Sequence, residues 1–285
     1  MKKTLILFLI IAMFSITMAQ DDADAKPDTT LYRWIPSLIT TLNFSQIAFS
    51  NWTKGGENSI SWSLGENFVL RYKTTDWSFK NDLSAAYGQS KVGTDDFKVT
   101  DNELYMETVG VRNIGWAVDP YVSNTIRTQV STGYEYSDTS KTMVADFFDP
   151  GYVTQSIGFT YDQMENFQTR IGLAFQETIT DKFTEYTDDP DTPEIENFEF
   201  ETGIESVSDG QFTLDENLLL KTKLSLFSAF DRLDVWDVRW DNVITAKVNS
   251  WLNVNFTYLL VYQQDQSYKT QMKQALQVGI TYTIL

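Results

Sequence analysis

The sequence predicts an all-β protein, a transmembrane antiparallel up-and-down β-barrel of about twelve strands with both termini in the periplasm. Three observations predict this fold. The N-terminus has the form of an export signal. The rest of the chain alternates apolar and polar residues in long segments that lack helical periodicity. The connections between these segments are alternately short and long.

The N-terminal segment is predicted to be a cleaved signal peptide. Met1-Lys2-Lys3 precede an apolar run from Leu5 to Ile16, and a cleavage site follows Ala19. A transmembrane helix is the alternative, but the run is shorter than the roughly 20 residues that span a bilayer. We therefore expect a signal peptide over 1–19, a periplasmic lead-in over 20–36 and the barrel over 37–285.

The composition argues against several classes of function. The chain carries 22 basic and 39 acidic residues and a net charge of −17, which disfavours nucleic acid as a partner. It contains neither cysteine nor histidine. Thiolate metal sites are therefore excluded, and most acid–base catalysis near neutral pH lacks its usual residue. We expect no enzymatic activity and no cofactor.

The clearest predicted strand runs from Leu252 to Tyr262. Apolar side chains occupy every second position, while Asn253, Asn255 and Thr257 occupy the opposite face. In 235–248 charged residues occupy one face of the strand and apolar residues the other. This is expected if the charged face lines a water-filled lumen and the apolar face contacts lipid. The same alternation predicts strands at 38–49, 59–73, 76–89, 102–113, 120–133, 152–162, 166–179, 198–207, 211–228, 235–248, 251–263 and 274–285.

The lengths of the connections support this strand count. Barrels of this class have short periplasmic turns and longer outer loops. The even-numbered connections are short, at 74–76, 113–119, 163–165, 208–210 and 249–250, whereas those at 90–101, 134–151 and 180–197 are the longest. A soluble β-sandwich or lipocalin-like barrel would also alternate. Long strands and aromatic residues near strand ends favour a membrane-spanning barrel over these soluble folds. We therefore expect the protein to lie in the outer membrane, in contact with lipid.

Three glutamates fit this pattern poorly. Glu66 and Glu216 fall on the apolar rows of their predicted strands, and 102–112, which contains Glu107, has no clean apolar face. A bulge or a position near the membrane interface would explain an outward glutamate. The register of the strands near these residues is left open.

The loop between the first two predicted strands carries a short motif. Asn51, Trp52, Gly55, Gly56 and Ser59 form the pattern Asn-Trp-x-x-Gly-Gly-x-x-Ser, and paired glycines suit a structural corner. Together with the signal peptide and the barrel pattern, this stretch resembles an uncharacterised family of Bacteroidetes-type outer-membrane β-barrel proteins, a domain of unknown function. The resemblance implies location and fold, and it implies no activity.

The connection at 180–197 is acidic. It contains Asp181, Glu185, Asp188, Asp189, Asp191, Glu194 and Glu196. Such oxygen-rich loops can bind Ca²⁺, but the spacing of an EF-hand is missing, and a solvated acidic loop is the simpler interpretation. A divalent cation that bridges this loop to an anionic lipid surface is kept as a hypothesis.

Charged residues on the inward rows are the candidate lumen lining. They are Arg71, Lys80, Asp82, Arg127, Arg170, Lys221, Lys223, Asp237, Arg239, Asp241 and Lys247. Mixed charge in a narrow lumen forms either a pairing network or a selectivity filter. We expect porin-like passage of small solutes through a narrow charged lumen. The alternative is a non-conducting structural or interaction barrel that docks a partner through its walls or outer loops, and cross-lumen Arg–carboxylate pairs would favour it.

Overall fold

The computed structural model describes residues 31–50, 56–137, 140–189, 192–264 and 268–284. Fourteen strands and one short 3-10 helix occur there. They are β1 (Trp34–Ile47), β2 (Ser59–Lys73), β3 (Trp77–Val92), β4 (Lys98–Arg112), β5 (Asp119–Thr128), β6 (Gly133–Tyr136), β7 (Lys141–Ala145), β8 (Gly151–Met164), β9 (Phe167–Ile179), η1 (Thr184–Tyr186), β10 (Phe198–Asp215), β11 (Leu218–Ala229), β12 (Asp237–Lys247), β13 (Leu252–Tyr262) and β14 (Gln271–Thr283).

Twelve of these strands form one closed antiparallel barrel. Each strand pairs with its neighbours in the order β1-β14-β13-β12-β11-β10-β9-β8-β5-β4-β3-β2, and β1 closes the ring against β14. The predicted fold class is therefore confirmed. Strands β6 and β7 form a separate hairpin inside the long connection after β5. The sequence pattern missed this hairpin because its strands are too short to show alternation.

The two ends of the barrel differ in their connections. One end carries the short connections together with the first and last barrel residues, and we call it the turn end. The other, the loop end, carries the long connections, including 129–150 and 180–197. The predicted alternation of short and long connections is thus present. That the turn end faces the periplasm stays a prediction.

The predicted turn at 208–210 is wrong. Gly210 lies inside β10 and pairs with Phe167 on one side and Thr222 on the other. Glycine and aspartate mimic a turn in the sequence, but here the ladder continues to a tighter hairpin between β10 and β11. Glu216 lies in that hairpin, not on the apolar row of a strand, and this corrects its predicted position.

The outward rows of the barrel expose large apolar side chains. Ile171, Leu173 and Leu276 are 58%, 52% and 68% exposed. Aromatic contacts lie toward both ends of the first strands, with Trp34 against Tyr72 and Trp62 against Tyr87. An apolar band flanked by aromatic girdles is the surface that a bilayer requires of a barrel. The fold is therefore that of a transmembrane β-barrel.

The structure contains only one helix in its described part, the single turn η1, so no helix there has the length to span a membrane. Inside the barrel, apolar packing is local. Val109, Val111 and Tyr121 form one small buried cluster. A Cβ atom on Gly172 would lie 2.8 Å from the Tyr121 hydroxyl, so the glycine makes room for this ring.

Candidate functional site

One strand supplies a row of acidic side chains to the lumen. The alternation of β4 points Asp101, Glu103, Tyr105 and Glu107 toward the barrel interior, where all four meet groups from distant strands. Below them toward the turn end, the same row continues with apolar Val109 and Val111. The inward face of β4 is therefore polar toward the loop end and apolar toward the turn end.

Glu107 forms the most buried part of this site. One carboxylate oxygen accepts a hydrogen bond from Nη2 of Arg170 on β9, and the other accepts from Nζ of Lys223 on β11 at 2.9 Å. The side chains of Glu107 and Arg170 are each only 2% exposed. Lys223 also donates to the Tyr105 hydroxyl at 2.7 Å. Since neither β9 nor β11 neighbours β4 in the barrel, these bonds cross the lumen.

A second ion pair spans the full width of the barrel. Nη2 of Arg239 on β12 lies 2.9 Å from both carboxylate oxygens of Glu103. Strand β12 is diametrically opposite β4, six positions away in either direction around the ring. Arg239 is held in place by Asp241, which accepts from its Nε at 2.8 Å. We call Glu103, Glu107, Arg170, Lys223 and Arg239 the charged layer.

Further pairs extend the charged layer toward the loop end. Arg127 on β5 lies 3.7 Å from Glu103, and Lys273 on β14 pairs with Asp101. A cavity of about 80 Å³ adjoins the layer and is lined by side chains of both charges, among them Arg127, Glu205 and Asp237. This volume has room for a few water molecules. Paired side chains cross the lumen at this level.

A different kind of network lines the wall beside the barrel seam. Asn43 on β1, Ser63 on β2, Asn253 and Asn255 on β13 and Thr281 on β14 bond to one another without any charge, and we call them the amide network. Asn255 Nδ2 donates to Asn253 at 2.7 Å and to Asn43 at 3.2 Å, and Asn253 donates to Thr281 at 2.6 Å. Asn43 in turn donates to Ser63 at 3.3 Å.

A glycine makes this amide network possible. Gly279 pairs with both Asn43 and Asn253, and a Cβ there would lie 2.4 Å from Asn253 Oδ1 and 2.7 Å from Asn255 Nδ2. Any larger residue would fill the space in which the amides meet.

The predicted lumen residues all lie on inward rows of their strands. Arg127, Arg170, Lys223, Arg239 and Asp241 join the charged layer or its margins, and Asp237 lines the adjoining cavity. Lys80 pairs with Asp82 at 3.5 Å on the wall of β3. Arg71, Lys221 and Lys247 are exposed toward the turn end and take no part in the charged layer. Their role as lining of a conducting path stays a prediction.

The sequence pattern missed the acidic half of the site. Glu103, Tyr105 and Glu107 come from the segment that showed no clean face. Its inward row changes from charged to apolar along the strand, and its outward row includes polar Asn102 and Thr108. The only available signal was the count of inward arginines and lysines, which require carboxylates nearby once they are buried.

The glycine motif is described in part. Asn51, Trp52 and Gly55 lie outside the described residues. Gly56 has a φ of +122°, which favours glycine, and a Cβ atom there would lie 2.8 Å from the ring of Phe49. Asn58 accepts the Phe49 amide at 2.6 Å, and Ser59 begins β2. The described part of the motif is a structural corner.

The acidic loop 180–197 is docked against its neighbour. The Asp149 carboxylate accepts the backbone amides of Asp181 and Lys182, both at 2.9 Å. A hydroxyl bond from Thr192 and the amide of Asp189 lower the pKa of Glu196. Within the described ranges no group of three or more carboxylates is placed to hold a metal ion, and Asp191 lies outside them. The divalent cation stays a hypothesis.

Comparison with known proteins finds one family and several barrels. A family model described as "Protein of unknown function (DUF3078)" matches residues 44–134, and this confirms the resemblance to a family of unknown function. Whether the Asn-Trp-x-x-Gly-Gly-x-x-Ser pattern characterises that family stays a prediction. No curated protein matches the sequence.

The solved structures that resemble the chain are outer-membrane barrels. An outer membrane channel from Pseudomonas putida F1 is 10% identical with a TM-score of 0.40, covering 91% of this chain and 99% of the channel. The translocator domain of the autotransporter NalP from Neisseria meningitidis is 9% identical with a TM-score of 0.37, covering 90% and 91%. Salmonella typhi OmpF is 14% identical with a TM-score of 0.28, covering 88% and 97%.

Proposed function

We propose that this protein is an outer-membrane barrel whose lumen is closed at rest, and that it acts as a structural or interaction element rather than as an open porin. One observation carries the proposal. Glu107, Arg170 and Lys223 form a cross-lumen ion cluster in which both Glu107 and Arg170 are buried. An open water-filled pore would leave such side chains hydrated.

The strength of this closure follows from the burial of the charges. Charged hydrogen bonds are stronger inside a low-dielectric interior than in water, and removing one partner leaves an unpaired buried charge. The Arg239–Glu103 pair adds a strut across the full width of the barrel. Opening a path for solute would require the Arg239–Glu103 ion pair to break.

A gated solute channel is the second candidate. It is favoured by the cavity of about 80 Å³ beside the charged layer, which is lined by charged and polar side chains. In this case the same ion pairs would act as the gate. The absence of histidine and cysteine from the sequence makes an enzymatic role the least supported of the three.

Osmotic swelling of vesicles that contain the refolded barrel tests the proposal. We expect vesicles with the unaltered protein to swell in small sugars no faster than protein-free vesicles. Arg239→Ala removes the strut and should increase the swelling rate. Lys247→Ala, an inward lysine at the exposed turn end, is the matched control and should leave the rate unchanged. Rapid swelling with the unaltered protein would contradict a closed lumen.

A further inference from the structure

Polar residues gather on the lipid-facing surface of one half of the barrel. Outward Thr40 on β1 pairs with outward Glu66 on β2. An unbroken row of outward polar residues then crosses β3, β4, β5 and β8, where consecutive members are direct register partners: Asn81, Thr108, Asn124 and Gln155. We call these six residues the polar wall.

Glu66 lies away from both ends of the barrel. On the outward row of β2, Glu66 lies between Trp62 toward the loop end and Tyr72 toward the turn end, and both aromatics belong to the contacts near the barrel ends. A charged group on the lipid face is most costly at this depth. Thr40 stabilises Glu66 by donating a hydrogen bond of 2.6 Å, but this occupies only one carboxylate oxygen.

The opposite half of the barrel is different at the same depth. Its outward rows carry Ile171, Leu173, Val278 and Ile280, all exposed. Outward polar groups of this half bond in pairs between adjacent strands: Asn242 accepts from Thr222 at 2.8 Å, and Thr169 and Ser208 share a hydrogen bond of 2.8 Å. The outward carboxylate of this half, Glu177, lies near the loop end. On the outward rows that the structure describes, Glu66 is therefore the carboxylate that lies away from the barrel ends.

We propose that the polar wall is the interface with a second copy of this chain. A two-fold axis parallel to the barrel axis and between β3 and β4 would exchange β3 with β4, β2 with β5 and β1 with β8. It brings Glu66 of one copy opposite Asn124 of the other, and Asn81 opposite Thr108. Carboxylate then meets amide N–H in both directions. Within each chain the Thr108 hydroxyl donates to the Asn81 carbonyl oxygen at 2.9 Å, so between copies the Asn81 amide N–H meets the hydroxyl oxygen of Thr108, as an isologous interface requires.

Lipid cannot satisfy these groups, because acyl chains offer neither donors nor acceptors. Polar side chains inside a membrane are instead the groups that join one protein segment to another. Since the wall supplies both the acceptor and the donors, a copy of the chain is its natural complement. Small Ala85, the register partner of Glu66, and Gly110 lie on the same face and allow close approach. This inference does not depend on whether the lumen is closed, so the two proposals can fail separately.

The chain contains no cysteine, so single-cysteine variants can be cross-linked cleanly. Leu83→Cys lies on the outward row of β3 beside the proposed axis, and Ile171→Cys lies on the apolar half as the matched control. With a bifunctional thiol reagent applied to full-length protein in membranes, we expect an adduct of twice the chain mass from Leu83→Cys and little from Ile171→Cys. Heat-dependent gel mobility identifies the folded barrel. An adduct of another mass, or none despite full labelling, would overturn the proposal.

Variants of the polar wall supply the second measurement. In the Leu83→Cys background, Glu66→Leu should reduce the cross-linked fraction, by about three- to tenfold in dimer affinity if one hydrogen-bonded pair is lost on each side. Glu66→Gln keeps an acceptor for the Asn124 amide and should retain most of the adduct. Equal cross-linking in Glu66→Leu and the parent would show that the wall does not join two copies.

Discussion

The charged layer and the amide network are both hydrogen-bonded clusters inside the same barrel, but they join strands that lie at different distances from each other. The amide network joins residues on neighbouring strands around the seam, with bonds such as Asn255 to Asn43. The charged layer joins strands that face each other, and Arg239 reaches Glu103 on the opposite wall. Short amides can only line a wall, whereas long arginine and lysine side chains can close the space between walls.

The two clusters also differ in what a single substitution leaves behind. Removing one amide leaves neutral groups that can bond elsewhere, at a cost of about 1–3 kcal/mol when buried. Removing one buried charge leaves its partner unpaired, at a cost of about 3–5 kcal/mol. The charged layer is therefore the less tolerant region of the molecule.

Glu107→Leu is expected to have the largest effect. It leaves Arg170 without its buried partner, and we expect the free energy of unfolding to fall by about 3–5 kcal/mol. Adding Arg170→Leu removes the stranded charge, so the double variant should be more stable than the single one. Urea titration of the barrel in lipid vesicles measures both. A double variant that is less stable than Glu107→Leu would show that lost packing, not lost pairing, dominates.

Gly279→Ala tests how closely the amide network is packed. The new Cβ would lie 2.4 Å from Asn253 Oδ1, and we expect a loss of about 1–3 kcal/mol as the amides are pushed apart. Gly65→Ala is the control on the same inward face, since a Cβ there meets only Thr41 O at 3.9 Å. Equal stability of the two variants in urea would refute the close packing at Gly279.

Asn255→Ala should have a smaller effect, of about 1–2 kcal/mol, because its neutral partners can bond to one another or to water. It should leave the permeability of the barrel unchanged, since the amide network does not span the lumen. Vesicle swelling and urea titration on the same preparation check both expectations. Faster swelling in Asn255→Ala would mean that the wall network also helps to close the lumen.

A charged pair with access to water should matter least. At the loop end, Lys182 lies 3.3 Å from Asp146, and the Phe147 amide, followed by Lys182 and Thr132, lowers the pKa of Asp146 below its ordinary 3.8. A carboxylate with a lowered pKa contributes stability above its ordinary pKa, and the contribution is lost as the pH falls through the lower, folded-state pKa. We expect Asp146→Asn to cost about 0.5 kcal/mol at pH 7 and nothing at lower pH. A larger loss of stability at low pH than at pH 7 would show that the pKa of Asp146 is raised, not lowered, in the folded protein.

The sequence predicted the twelve-stranded barrel because its main signal is local. Alternation with a period of two and the length of each connection are properties of single segments. Both can be read from the sequence without knowing which strands pair. The error at 208–210 arose where local turn residues were overridden by pairing on both sides of Gly210. Strand boundaries elsewhere moved by a few residues, as at β1, which begins at Trp34.

The partners inside the lumen could not be predicted in the same way. Arg170 and Arg239 are recognisable as inward basic residues, but their carboxylates lie 63 and 136 positions away in the sequence. Which strands face one another depends on the number of strands and on the stagger of the closed ring, and alternation carries no information about the stagger. The role of Glu66 was hidden for a similar reason, since its place on the polar wall depends on the neighbours in register.

Single-channel recording in a planar bilayer tests the closed lumen most directly. The unaltered, refolded protein should insert, as judged by protease protection, and give no stable conductance steps, whereas Arg239→Ala in the same bilayer should give steps. Regular steps from the unaltered protein, with ion selectivity that changes in Arg239→Ala, would contradict the account and identify the charged layer as the lining of an open channel.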